Sequence, residues 1–292
     1  MSDDSKLYAS GGAALLNSCA LEELRRNTEL QGLVEAMREK EARFVQQLGC
    51  VDDAAIRLSC QRYIAGLLEG CELDEAYVAE EPSAFSRAAF SLKGNLSLAR
   101  QRRYMREVAR TYAHVCDGAL FVPQCIDDYH RLWELAMVGE PRWSEDFPTS
   151  AFRTNFTVVR SGDEDEEVLQ RNTPPERIEA ELTELLGFLG DESISQEARA
   201  CASYASVEFT HPFRDGNGHV GRMLLITLLA DRYSLSTIVR FSHELTVGRK
   251  IGRLLIPLRE GELSIAGFCL EVLGWLYDVQ PTAVSDVVGS AS

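Results

Sequence analysis

The sequence predicts an all-α protein carrying one small β-hairpin. Apolar residues recur at intervals of three and four along almost the whole chain, strand-like alternation occurs in one place, and proline-bearing loops separate the periodic stretches. Leu21, Leu24, Leu30 and Leu33 set the first helical face, and Ile56, Cys60, Tyr63 and Leu67 continue the pattern. The segment Glu80-Glu81-Pro82-Ser83 ends this N-terminal helical region, because Pro82 is not tolerated inside a helix. The region is therefore placed at residues 1–85, the main unit at 86–280, and a small, polar, flexible tail at 281–292. A loop with Pro141 and Pro148 runs from Gly139 to Thr149. The alternating stretch, Phe152 to Arg160, follows it and meets a Ser161-Gly162 turn signal, so a hairpin is expected over about residues 150–165. The acidic run Asp163 to Glu167 reads as a solvated loop, since side chains adjacent in sequence do not converge on one ion. Pro174-Pro175 then opens a helix reaching about Leu189, proline being favoured at the first helical position.

Composition narrows the function classes. The 292 residues suffice for one large domain or two modest ones with a sizeable core. A formal charge of −15 argues against non-specific nucleic-acid binding, which needs a clustered positive footprint. It argues equally against docking on an anionic membrane. The longest strongly apolar stretch, Met223 to Ala230, is far short of the roughly 20 residues of a membrane span, and the opening MSDDSKLYAS offers no apolar leader. The eight cysteines include no C-x-x-C pair and no histidine at zinc spacing, and read as thiols in a reducing compartment. The expected location is the cytoplasm, a setting equally compatible with delivery by a specialised secretion machine.

One stretch carries chemistry: His211-Pro212-Phe213-Arg214-Asp215-Gly216-Asn217-Gly218-His219-Val220-Gly221-Arg222. A helix over Glu197 to Thr210 ends at the His-Pro pair, a tight Asp-Gly-Asn-Gly turn follows, and an apolar helix begins near Val220. Gly216 and Gly218 relieve the cost of positive φ and let backbone approach a ligand, so successive N–H groups form an anion nest at a helix N-terminus. Arg222 adds a fork of donors for a terminal phosphate. Asp215 is a hard oxygen ligand suited to Mg²⁺, which takes few protein ligands and completes its shell from phosphates and water. His211 is the group here that titrates near neutrality, hence the candidate general base.

These residues resemble the signature of the Fic family, His-Pro-Phe-x-(Asp/Glu)-Gly-Asn-Gly-Arg-x-x-Arg, with His219 standing at its first Arg. The resemblance extends over roughly residues 86–276. It implies a helical core with a hairpin flap, in which Phe152, Arg153, Thr157 and Val158 would dock a strand-like segment of a protein target. It implies AMP transfer from ATP, with Mg²⁺, onto a Ser, Thr or Tyr hydroxyl of that protein, self-modification included. The residues assigned to the nucleotide are Asp215, Gly216, Asn217, Gly218, His219 and Arg222. The implied partners are nucleotide and protein target, not nucleic acid, with a homodimer compatible. Retention of Gly218 favours nucleotidyl transfer over the related Doc-type kinases, where a Lys stands. Many relatives carry a self-inhibitory (Ser/Thr)-x-x-x-Glu-(Gly/Asn) helix whose Glu pairs with the second signature Arg, here Arg222. Residues 89–95 resemble a degenerate form, with Lys93 in place of the Glu and Asn95 after Gly94; they read equally as a helix stop before a basic helix. Lys250-Ile251 falls where ATP-using members often carry Tyr-Tyr. Two alternatives therefore stay open: the same machinery with another nucleotide or phospho-donor, and a nucleotide-binding regulatory module without turnover. Trp133 and Trp143 read as packing anchors.

Overall fold

The computed structural model describes residues 15–49, 51–66, 96–138, 151–160, 168–246 and 250–288. Among them the chain is helical, with a single two-stranded antiparallel ladder. The N-terminal helices are α1 (Ser18–Arg26), α2 (Thr28–Leu48) and α3 (Asp53–Gly66), followed by α4 (Leu96–Cys116) and α5 (Ile126–Met137). Strands β1 (Val158–Arg160) and β2 (Val168–Arg171) come next, then a 3₁₀ turn at Pro175–Arg177 leading into α6 (Ile178–Leu189). The remaining helices are α7 (Gln196–Thr210), α8 (Asn217–Ala230), α9 (Leu235–Thr246), α10 (Lys250–Glu260), α11 (Ile265–Val279) and the short α12 (Ser285–Val288).

Local chemistry sets the helix ends. The Asn17, Asn27, Ser195 and Ser264 side chains each accept a backbone N–H three residues on, opening α1, α2, α7 and α11. At α5 the Asp128 carboxylate reaches back to the Gln124 and Cys125 amides at 2.8 and 3.3 Å. Helix α8 is apolar on nearly every face, with Val220, Leu224, Leu225 and Leu229 fully buried, so it can only be central. It packs antiparallel on α7 and also meets α5, α9 and α4. Each buried leucine contributes about 1.5–3 kcal/mol.

The N-terminal helix α2 joins the same core through Leu30, Val34 and Met37, and it also brings charge inside. Arg38 grips the fully buried Glu197 of α7 with two bonds of 2.8 and 2.7 Å, and the Tyr233 hydroxyl adds a third at 3.1 Å. Glu41 accepts from the Ser234 amide, the Thr237 hydroxyl and the Gln280 carboxamide at 2.7, 2.9 and 3.0 Å. Residues 282–288 dock beside α2, where Val287 packs with Phe44 and Leu48.

Two expectations need adjusting. The β-ladder covers only 158–160 of the alternating stretch, pairing Val158 with Arg171 and Val159 with Gln170, with an irregularity after Val159. The earlier part of that stretch runs along the loop after α7 instead, through an isolated bridge between Phe152 and Phe213. Helix α8 begins at Asn217 rather than near Val220, because Gly216 (φ 85°) makes the turn and helical geometry starts at once. Segment 89–95, with Lys93 and Asn95, lies outside the described residues, as do the acidic run 163–167, Ser161-Gly162 and Trp143.

Candidate functional site

The site is the connection between two antiparallel helices. Helix α7 stops at His211, whose left-handed conformation (φ 50°) is the one positive φ of a non-glycine residue among those described. Such a conformation in a residue with a Cβ costs energy and persists where the surroundings impose it. Here Arg153 imposes it. Its buried guanidinium, 2% exposed, donates from Nε to the His211 carbonyl at 2.6 Å, from Nη1 to Asn155 at 2.7 Å, and from Nη2 to the Thr210 carbonyl at 3.1 Å and to Thr173. The Arg153 amide also bonds the Pro212 carbonyl at 2.9 Å. Phe152 packs on Phe213 and His130, with ring centroids 5.5 and 4.4 Å away. Phe152 and Arg153, two of the four residues expected to dock a target, are thus used to strap the flap root to the loop. Thr157 stays at the ladder's edge, its hydroxyl accepting from Asn172 at 2.9 Å, and Val158 opens β1.

The loop itself is closed from within. Asn217, 2% exposed, accepts the Phe213 amide at 2.8 Å and donates to the Phe213 carbonyl at 2.9 Å, so its carboxamide shapes the turn. Asp215 accepts the Gly216 amide at 2.8 Å, while Trp133 of α5 donates its indole N–H to the Asp215 carbonyl at 2.8 Å. The positive φ of Gly216 favours glycine, and a Cβ there would also displace the Met137 sulfur, 2.5 Å away. Gly216 supplies no side-chain cap, and the positive end of the α8 dipole lies at this turn. Trp133→Phe should keep the ring packing and lose one hydrogen bond, about 1 kcal/mol. Faster amide exchange at residues 215–217 and a lower unfolding midpoint would register it; unchanged exchange would mean that the indole N–H does not hold the loop.

Electrostatics divide the site. Burial pushes the His211 imidazole down to about 4, helped by the Arg153 and Arg259 charges and opposed by the Glu208 carbonyl and Asp215. It is therefore neutral at pH 7, in the form that accepts a proton. Arg222, in the second turn of α8, is paired with Glu107 of α4: Nε and Nη2 both donate to that carboxylate, the latter at 3.0 Å. His219 Nδ1 lies 3.4 Å from the same carboxylate. Burial would raise the Glu107 carboxyl, but the charges of Arg222, His219 and Arg110 outweigh it and hold it down to about 2. On the other side of Arg222 stands Glu208 of α7, raised by burial against the pull of Arg222, Tyr204 and Arg259.

Sequence reasoning did not find Glu107, Glu208 or the hydrogen-bonding role of Trp133. Glu107 sits in a basic run far from the loop, and no local signal marks it. Glu208 was detectable in principle, as the acid interrupting an otherwise apolar helix end three residues before His211. Asp215, a single carboxylate in the loop before α8, is the kind of hard donor that Mg²⁺ would complete with phosphates and water.

The site is thus a helix–loop–helix with an imidazole at the end of the first helix and the start of an apolar helix after the loop. Residues 142–229 match the Fic/DOC family model. The fold is shared by a Fic family protein from Desulfovibrio desulfuricans G20, with TM-score 0.57 and 19% identity over 88% of this chain and 74% of that one. It is shared also by Fic-1 from C. elegans, with TM-score 0.51 and 15% identity over 88% of this chain and 71% of that one. No curated protein matches the chain. No helix among the described residues is long and apolar enough to cross a membrane.

Proposed function

We propose that this protein transfers AMP from ATP onto a side-chain hydroxyl of a protein target. The observation that carries the reading is an imidazole at His211, held neutral at pH 7, separated from the N-terminus of α8 by a loop of five residues. His211 takes the hydroxyl proton as the oxygen attacks the α-phosphorus, and pyrophosphate leaves in line. The first amides of α8, with Gly218 among them, and Arg222 stabilise charge on the phosphates. Asp215 would hold Mg²⁺, which when bound neutralises phosphate charge. The target adds to the flap at the edge of β1, beside Phe156, which is 62% exposed. The setting is the cytoplasm, where ATP and Mg²⁺ are supplied.

A second reading, another nucleotide or phospho-donor, is favoured by His219 being drawn to Glu107 and by Ile251 being buried in the core. Incubation with labelled ATP, CTP, GTP and UTP plus Mg²⁺, read by protein mass, separates the cases. An adenylate adduct supports the proposal, another adduct supports the second reading, and binding without any adduct supports a module without turnover. Asp215→Ala should weaken Mg²⁺-dependent nucleotide binding by about tenfold or more while sparing metal-free binding. Equal loss with and without Mg²⁺ would remove Asp215 from the metal role.

A further inference from the structure

Arg222 pairs with the buried carboxylate of Glu107 on α4, and how it meets that carboxylate bears on its role. Glu107 takes the guanidinium side-on, through Nε and Nη2. Nη1 is left on the opposite side, against the loop: a Cβ built on Gly218 would lie 3.2 Å from Nη1 and 3.7 Å from Nη2. The same point is 2.9 Å from Oε1 of Glu208. Nη1 of Arg222 therefore lies beside Gly218, in the first turn of α8. A carboxylate that withheld Arg222 from a ligand would turn the fork away from that turn. This one aims it there. Glu107 is 6% exposed and lies on α4.

We propose that Glu107 is a positioning residue: it fixes Arg222 side-on so that Nη1 is presented beside Gly218 to the terminal phosphates of a nucleoside triphosphate. This rests on the function proposed above and adds the part of the nucleotide concerned. An arginine side chain has four rotatable bonds, and pre-ordering its fork lowers what binding must order. His219, 3.4 Å from the same carboxylate, adds a third group to the clamp and ties the first turn of α8 to α4.

The test compares two ligands on the full chain by titration calorimetry with Mg²⁺: α,β-methylene ATP, whose AMP cannot be transferred, and AMP. Glu107→Gln should weaken the triphosphate analogue by about tenfold and leave AMP within twofold, because the pre-ordered fork serves only the outer phosphates. Glu107→Asp keeps the charge and should give a smaller selective loss, which covers the case in which the Gln variant does not fold. Tighter triphosphate binding in the variants would show that Glu107 withholds Arg222 and would overturn the proposal. Equal weakening of both ligands, or no change, would overturn it too. Failure of the wild-type chain to bind the analogue overturns both this inference and the function it rests on, an outcome distinct from wild-type binding without variant selectivity.

Discussion

His211→Ala is expected to leave nucleotide binding nearly intact and to lower transfer by about 10²-fold or more. Asp215 and the α8 amides remain in place, whereas the neutral imidazole that would take the proton is gone. The pH profile gives a second reading of the same residue. Its imidazole sits near 4 rather than near the ordinary 6.5, so the active, neutral form persists on acidification. Transfer at saturating nucleotide should hold from pH 8 to about 5 and fall as the pH drops through 4. Stability carries the linked sign: the unfolded chain takes up the proton first, so folding loses free energy from about pH 6.5 downward until the folded residue also protonates near 4. Self-modification at the wild-type rate in the alanine variant, or an acid limb near 6.5, would dismiss His211 as the base.

Arg153→Met should destabilise the fold by about 3–5 kcal/mol, the range for removing one partner from a buried charged network. The four carbonyls of His211, Asn155, Thr210 and Thr173 lose their donor together, in a place where water does not readily replace it. Arg153→Lys should recover less than half of the loss, since an ammonium cannot span carbonyls set around a planar fork. Urea midpoints measure both. A loss below about 1 kcal/mol would show that the carbonyls find other donors. Removing this charge should also move the acid limb of transfer to higher pH, because Arg153 helps to keep His211 deprotonated.

The loop was legible in the sequence because its parts are contiguous. Two histidines, a carboxylate, three glycines and two arginines fall within twelve residues, and the helices on either side announce themselves by period and by the His-Pro stop. The groups that hold the loop were not legible, since each comes from far along the chain. Trp133 reaches Asp215 across 82 residues, Arg153 reaches His211 across 58, and Glu107 reaches Arg222 across 115. No local periodicity encodes such pairs. The alternation from Phe152 to Arg160 misled in one respect, because its first half satisfies its backbone against the loop and not against a strand. Arg153 looked like surface chemistry, arginine being rarely buried without a counter-charge. It is buried because backbone carbonyls take that part.

The grip of α2 on the rest of the molecule bears on how the protein can be cut. Glu197 lies on the helix that ends at His211, fully buried, with Arg38 as its bidentate counter-ion. A shortened chain starting after α2 would keep Tyr233 against Glu197 but strand a carboxylate in the interior without its cation. It would also open the pocket in which Glu41 collects Ser234, Thr237 and Gln280. Desolvated charge left in that way costs several kcal/mol, a large share of what holds an ordinary domain together. A fragment trimmed to the signature-bearing half would then report the behaviour of a damaged helix α7, and loss of activity in it would say nothing about inhibition or activation by the segment removed.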